Sequence, residues 1–117
     1  MRPILHITMA PQWHRSRETY VHPSLVEEGF IHCSDVHQVL GPANAYFKGQ
    51  DDLIILVIDP QRVQSPIHYE DSTGAGVEYP HIYGPLNVDA VEMVVDFPRN
   101  EHGTFSLPAS LKRYTHT

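Results

Sequence analysis

Six consecutive apolar residues, Leu53-Ile54-Ile55-Leu56-Val57-Ile58, lie between Asp52 and the pair Asp59-Pro60. A run of this length bounded by turn residues reads as a strand, and one that is apolar on both faces belongs in the middle of a sheet. Asp59-Pro60 ends it, because a residue before proline is pushed away from regular helix and proline cannot continue a ladder. It is also the longest apolar run in the chain, far short of the roughly 20 residues that a membrane helix needs. A chain of 117 residues holds one ordinary core, so a single domain over residues 1–117 is expected.

Around that strand, Ile4-Leu5-His6-Ile7 reads as an opening strand. Thr8 as N-cap and Pro11 in the first turn predict a short helix next, with Trp13 as a core anchor. Residues 16–28 are polar and loop-like, with one helical turn from Pro23 to Glu28 ended by Gly29. Phe30-Ile31-His32-Cys33 is strand-like, and Ser34 or Asp35 can cap a helix from Val36 to Lys48. Val39, Leu40, Ala43, Tyr46 and Phe47 recur there at helical spacing, while Pro42 must bend the helix or restart it. Ile67–Glu70, the proline-bounded Tyr79–Leu86 and Val88–Phe97 complete the strands; Asp71–Gly76 is a turn. The core runs from about 4 to 97, and the polar tail 98–117 ends with a helical turn at Pro108–Leu111. Two or three short helices with about six mostly antiparallel strands predict an α+β sandwich or half-barrel.

Nine histidines among 117 residues are the compositional outlier. His6-Ile7-Thr8 and His32-Cys33-Ser34 each place an imidazole and a hydroxyl two residues apart, which on a strand share one face. His81 sits in the stiff segment Pro80–Pro85, together with Tyr83. Taken singly, His6 and His32 read equally well as hydrogen-bonded core histidines and His81 reads better as a structural one; three of them in so small a domain would each need a buried partner. The expected site is therefore one cleft lined by His6, His32 and His81. His14, His22, His37, His102 and His116 lie in polar surroundings and are expected at the surface, as are Glu27, Glu28, Asp51 and Asp52. Gly74-x-Gly76 is too short to be a phosphate loop.

Cys33 is the single cysteine, so no intrachain disulfide forms; as the neighbour of His32 on a strand its thiol faces the other way, which favours a buried apolar role. No CxxC, HxxxH or HExxH spacing is present, and no metal is expected. Formal charge is −6 and the eight basic residues are scattered, which argues against an extended nucleic-acid surface. A soluble cytoplasmic protein acting on a small molecule is the expectation, with no membrane partner.

The strings ILHIT at 4–8, EGFIHCS at 28–34, LIILVIDP at 53–60 and YPHIYGPL at 79–86 resemble the domain-of-unknown-function 952 family. That family is similar in fold to the ADP-ribosyltransferase superfamily. The resemblance implies a split antiparallel β-sandwich holding NAD, or an ADP-ribosylated or other phosphate-bearing nucleotide, in the cleft between its halves. It places His6 and Thr8 on a ribose, His32 and Ser34 at the nicotinamide pocket, and His81 and Tyr83 where many transferases carry a glutamate. His32 and His81 would then be the catalytic pair, with His6, Thr8, Ser34 and Tyr83 binding the cofactor. A histidine at the glutamate's place cannot supply its negative charge, and Glu78 is three residues away. The same pocket suits ADP-ribosyl transfer, phosphoryl transfer, a two-histidine phosphoesterase working through His6 and His32, or a non-catalytic binding module.

Overall fold

The computed structural model describes residues 2–115. Its centre is a four-stranded antiparallel sheet of β1 (Ile4–Met9), β4 (Ser34–Asp35), β5 (Leu53–Ile58) and β9 (Val91–Asp96), in the order β4-β1-β5-β9. The apolar run is β5, buried along its whole length and flanked by β1 and β9 as its two-faced composition predicts. Alternation along β5 then divides the core in two. Leu53, Ile55 and Val57 point with Leu5 and Ile7 towards one face, and Ile54, Leu56 and Ile58 point with Ile4 towards the other.

The first face is covered by Val36, Val39 and Ala43 and by the tail residues Phe105 and Leu111. Here the expectation of a merely polar tail is corrected: the amide of Phe105 donates to Asn44 Oδ1, and a 3₁₀ segment over Ala109–Thr115 buries Leu111. The second face is covered by β3 (Ile31–His32), β6 (Ile67–Glu70) and β7 (Tyr79–Ile82), a sheet in the order β3-β7-β6, and by the two-stranded pair β2 (Thr19–Tyr20) and β8 (Leu86–Asn87). The result is a mixed α and β fold with antiparallel sheets.

Other differences have local causes. The helix expected over 36–48 is a turn followed by α2 (Leu40–Tyr46), which restarts so that Pro42 falls in its first turn, where no amide donor is needed. Ser34 and Asp35 belong to β4 rather than to a helix cap, although Asp35 Oδ1 accepts from the His37 amide. Thr8 stays in β1 and caps nothing, since the 3₁₀ turn Ala10–Gln12 has Met9 at its N-cap without a side-chain bond. α1 (Pro23–Glu27) is the expected single turn, capped by His22 through the Ser24 amide. Trp13 is only partly buried, packing on Tyr20. Residues 88–90 form a 3₁₀ turn, which shortens the last strand to β9.

One passage positions the site. β3 and β4 are nearly one strand, broken at Cys33, whose amide donates to the Pro80 carbonyl of the outer sheet. The chain therefore leaves one sheet and enters the other within a few residues. β4 pairs only with Ile4 and Leu5 of β1, so the outer edge of β1 beyond Leu5 lies open where the sheets part.

Candidate functional site

A cavity of about 700 Å³ opens at that parting. Leu5 and Ile7 on β1, Pro42 and Tyr46 on α2, and Val77 give it an apolar side. His22, Glu28, His32, Ser34 and His81 give it a polar side. The three histidines expected to share one cleft all line it. They do so in different ways.

His6 is a buried structural group. Its Nδ1 lies 2.6 Å from the His32 carbonyl and its Nε2 2.8 Å from the Tyr20 hydroxyl, while the whole residue is 2% exposed. Because a carbonyl only accepts, Nδ1 carries a proton and clamps the crossing at Cys33. Burial lowers the pKa of His6 from 6.5 to about 3, against the opposing pull of the His32 carbonyl. The ring is therefore neutral near pH 7, with Nε2 as an acceptor. Tyr20 stands 2.8 Å from the Thr8 hydroxyl, which stands 2.7 Å from Gln12 Oε1. A chain in which Tyr20 donates to Thr8 and Thr8 to Gln12 requires a proton on His6 Nε2. With neutral His6 the tyrosine donates to Nε2, Thr8 donates to Tyr20, and the Gln12 amide turns to donate to Thr8. Thr8 does share the His6 face of β1, as the spacing predicts, yet it does not line the cavity.

His32 and His81 stand together at the cavity, His32 with its side chain half exposed and His81 buried, 2% exposed, at the cavity wall. They are directly opposite in the register of β3 and β7, with ring centroids 5.5 Å apart. Each is held by its own glutamate. His32 Nε2 lies 2.8 Å from Glu28 Oε2, four residues earlier on the other side of the Gly29 turn. His81 Nδ1 lies 2.9 Å from Glu70 Oε1, which also accepts from the Tyr83 hydroxyl. That tyrosine and His81 together hold the Glu70 carboxyl below its ordinary pKa, and the carboxylate in return raises Tyr83. Phe30 stacks on the His81 ring at 4.0 Å. Strand alternation explains the grouping: Phe30, His32, Glu70, Tyr79, His81 and Tyr83 occupy one face of the outer sheet, while Ile31, Ile67 and Ile82 occupy the core face. Among the described residues, His32 Nδ1 and His81 Nε2 have no protein partner.

Ser34 lines the cavity but is buried, whereas the His32 side chain is 49% exposed. The bend at Cys33 is why this pair, unlike His6 and Thr8, does not behave as neighbours on one strand. Tyr83 donates to Glu70 and stands outside the cavity lining, and Glu78 is exposed, its carbonyl accepting from Gln38. Burial pushes the Cys33 thiol up, in keeping with an inert core residue. One expectation of full exposure is corrected: His22 is half-buried with its ring edge-on to His6, because Nδ1 is tied to the α1 start, and burial lowers its pKa. Glu28 is exposed as expected, and its carboxylate meets His32 at the cavity. His14, His37 and His102 are exposed, and His116 lies outside the described residues. Among the described residues no group of histidines, cysteines and carboxylates is arranged to hold a metal ion, and no helix is long and apolar enough to cross a membrane.

Residues 7–94 match the family described as a protein of unknown function, DUF952, and the chain belongs to that family. The crystal structure of protein CC0527 from Caulobacter crescentus is similar, with 26% identity, a TM-score of 0.83, and coverage of 94% of this chain and 98% of that one. The solution structure of the same protein gives 27% identity, a TM-score of 0.73, and coverage of 90% and 92%. No curated protein matches the chain. Neither the family description nor the name of CC0527 states an activity.

Proposed function

We propose that this member of the DUF952 family binds a phosphate-bearing nucleotide in the cleft between its sheets and works on it through His32 and His81 as an acid–base pair. The observation that carries the reading is the register pair itself: two imidazoles side by side at a cavity, each with one nitrogen on a glutamate and the other free. A carboxylate on one ring nitrogen fixes the tautomer and leaves the second nitrogen to exchange protons with a ligand. The cavity volume of about 700 Å³ falls within the usual span for small-molecule sites.

In a cyclic phosphodiester the oxygen of water bonds to phosphorus as the bond from phosphorus to the ribose oxygen breaks. His81 Nε2 takes the proton that the water loses, while His32 Nδ1 supplies one to the departing oxygen. Glu70 is a positioning residue that acts through His81. The pair differs from the His6 and His32 pair that the sequence favours for such chemistry, since both nitrogens of His6 are engaged.

A second reading, ADP-ribosyl chemistry on NAD, is supported by Glu28, a carboxylate at the cavity beside His32 that can face a ribose carbon. Assays of 2′,3′-cyclic nucleotide hydrolysis and of NAD cleavage separate the two. The proposal expects turnover of the cyclic nucleotide to fall at least about 100-fold in both His32→Ala and His81→Ala. Turnover unchanged in both variants overturns it.

A further inference from the structure

The cavity is poor in positive charge. None of the eight lysines and arginines lines it, and its one residue of fixed charge is Glu28. Positive charge could come only from imidazoles, yet His32 and His81 already face Glu28 and Glu70, so protonating either one largely balances a carboxylate. The glycine turn beside the cavity offers no substitute. The amides of Gly74, Ala75 and Gly76 make an anion-receiving turn in the loop beside the cavity, but Asp71 fills it. Its Oδ1 takes the first two amides at 2.8 and 3.2 Å, and its Oδ2 takes the third at 2.7 Å. Buried phosphates are held by arginine or lysine, by free backbone amides, or by metal ions. A pyrophosphate with two charges has none of these here, and desolvating it unpaired is costly.

The opposite side of the cavity is apolar and includes an aromatic ring. Tyr46 is 76% exposed on α2, and Val77, 41% exposed, stands among the lining residues with it. Large apolar side chains left open to water around a cavity find their natural use against a ligand's apolar or aromatic part.

We infer that the cleft is built for a neutral or singly charged ligand with an aromatic end, a nucleoside or cyclic mononucleotide, and against a pyrophosphate such as ADP-ribose. This rests on the nucleotide reading above and narrows it. The base lies along Tyr46, and the ribose with at most one phosphate charge lies at His32 and His81.

The test titrates the full chain with adenosine 2′,3′-cyclic phosphate, adenosine, ADP-ribose and NAD, following affinity by calorimetry and the histidine ring resonances by NMR. The cyclic nucleotide should bind at least tenfold more tightly than ADP-ribose and move the His32 and His81 resonances. Tyr46→Ala should weaken that binding several-fold, and Val77→Arg, on an exposed residue that leaves the core intact, should strengthen ADP-ribose binding. If ADP-ribose or NAD binds more tightly than the cyclic nucleotide while both resonances move, the charge inference falls and the nucleotide reading stands. If none of the four ligands moves those resonances, both fall.

Discussion

Replacing His6 by asparagine should make the protein less stable at neutral pH and, at the same time, less sensitive to acid. The folded His6 has a pKa of about 3, against 6.5 when unfolded. Between those values the unfolded chain binds the proton and the native one does not, so stability is full above about pH 6.5 and is lost as pH falls towards 3. Each unit of depression corresponds to about 1.4 kcal/mol, so this one histidine removes about 2 kcal/mol between pH 7 and pH 5. That is a large share of the 5–15 kcal/mol or so that holds a domain together. In His6→Asn the amide side chain would keep a donor for the His32 carbonyl but leave the Tyr20 hydroxyl short of a partner and some space unfilled, at a cost of about 2 kcal/mol at pH 7. Urea unfolding, read by the fluorescence of Trp13, the single tryptophan, measures both curves. With slopes of about 1–3 kcal/mol per molar, the gap at pH 7 is roughly a molar in midpoint, and by pH 5 it should have closed. A gap that stays constant from pH 7 to pH 5 would show that His6 does not hold its neutral form in the core, and the clamp on the sheet crossing would have to be abandoned.

Two further outcomes follow from the outer sheet. Glu70→Gln should leave thermal stability nearly unchanged, since the Glu70 side chain is 41% exposed, yet free the His81 tautomer; ring nitrogen chemical shifts of His81 should move, turnover should drop at least tenfold, and its pH profile should shift. An unshifted His81 spectrum would remove Glu70 as its positioning residue. Gly84→Ala should destabilise by about 1–3 kcal/mol by thermal melting, because Gly84 has φ +153° and a methyl there would sit 2.5 Å from Ser65 Oγ, which bonds the Pro85 carbonyl. A melting temperature equal to wild type would mean that this turn relaxes freely.

The central layer was legible because its evidence is local. A strand apolar on both faces has few places to go other than the middle of a sheet, and β5 sits there. What covers it depends on distant pairing. Thr19 and Tyr20 read as loop because two residues carry no periodicity, and they become a strand only through β8. The same holds for the tail: Phe105 and Leu111 are isolated apolar residues in polar sequence, and only the open face over Leu5 and Val57 makes them core.

For the site, the alternation rule worked where the strand was continuous and failed where it broke. His6 and Thr8 lie on one face of an unbroken β1, whereas the bend at Cys33 separates His32 from Ser34. The polar partners escaped notice because their signal is a coincidence of two strands. His68-x-Glu70 and His81-x-Tyr83 both alternate, but only the antiparallel register of β6 and β7 puts Glu70 and Tyr83 on the His81 face. Glu28 had a nearer signal, four residues before His32 across a glycine at φ +90°, a turn that folds the carboxylate back onto the strand it precedes. His6 is the instructive case. The feature that made it conspicuous, a polar residue on an apolar strand, is the same feature that its Nδ1 and Nε2 bonds satisfy, so its prominence in sequence reflects the cost of holding two sheets together at their crossing. His32 and His81 differ from it in that a glutamate takes one ring nitrogen and leaves the other without a protein partner, a distinction set by the Gly29 turn for His32 and by strand pairing for His81.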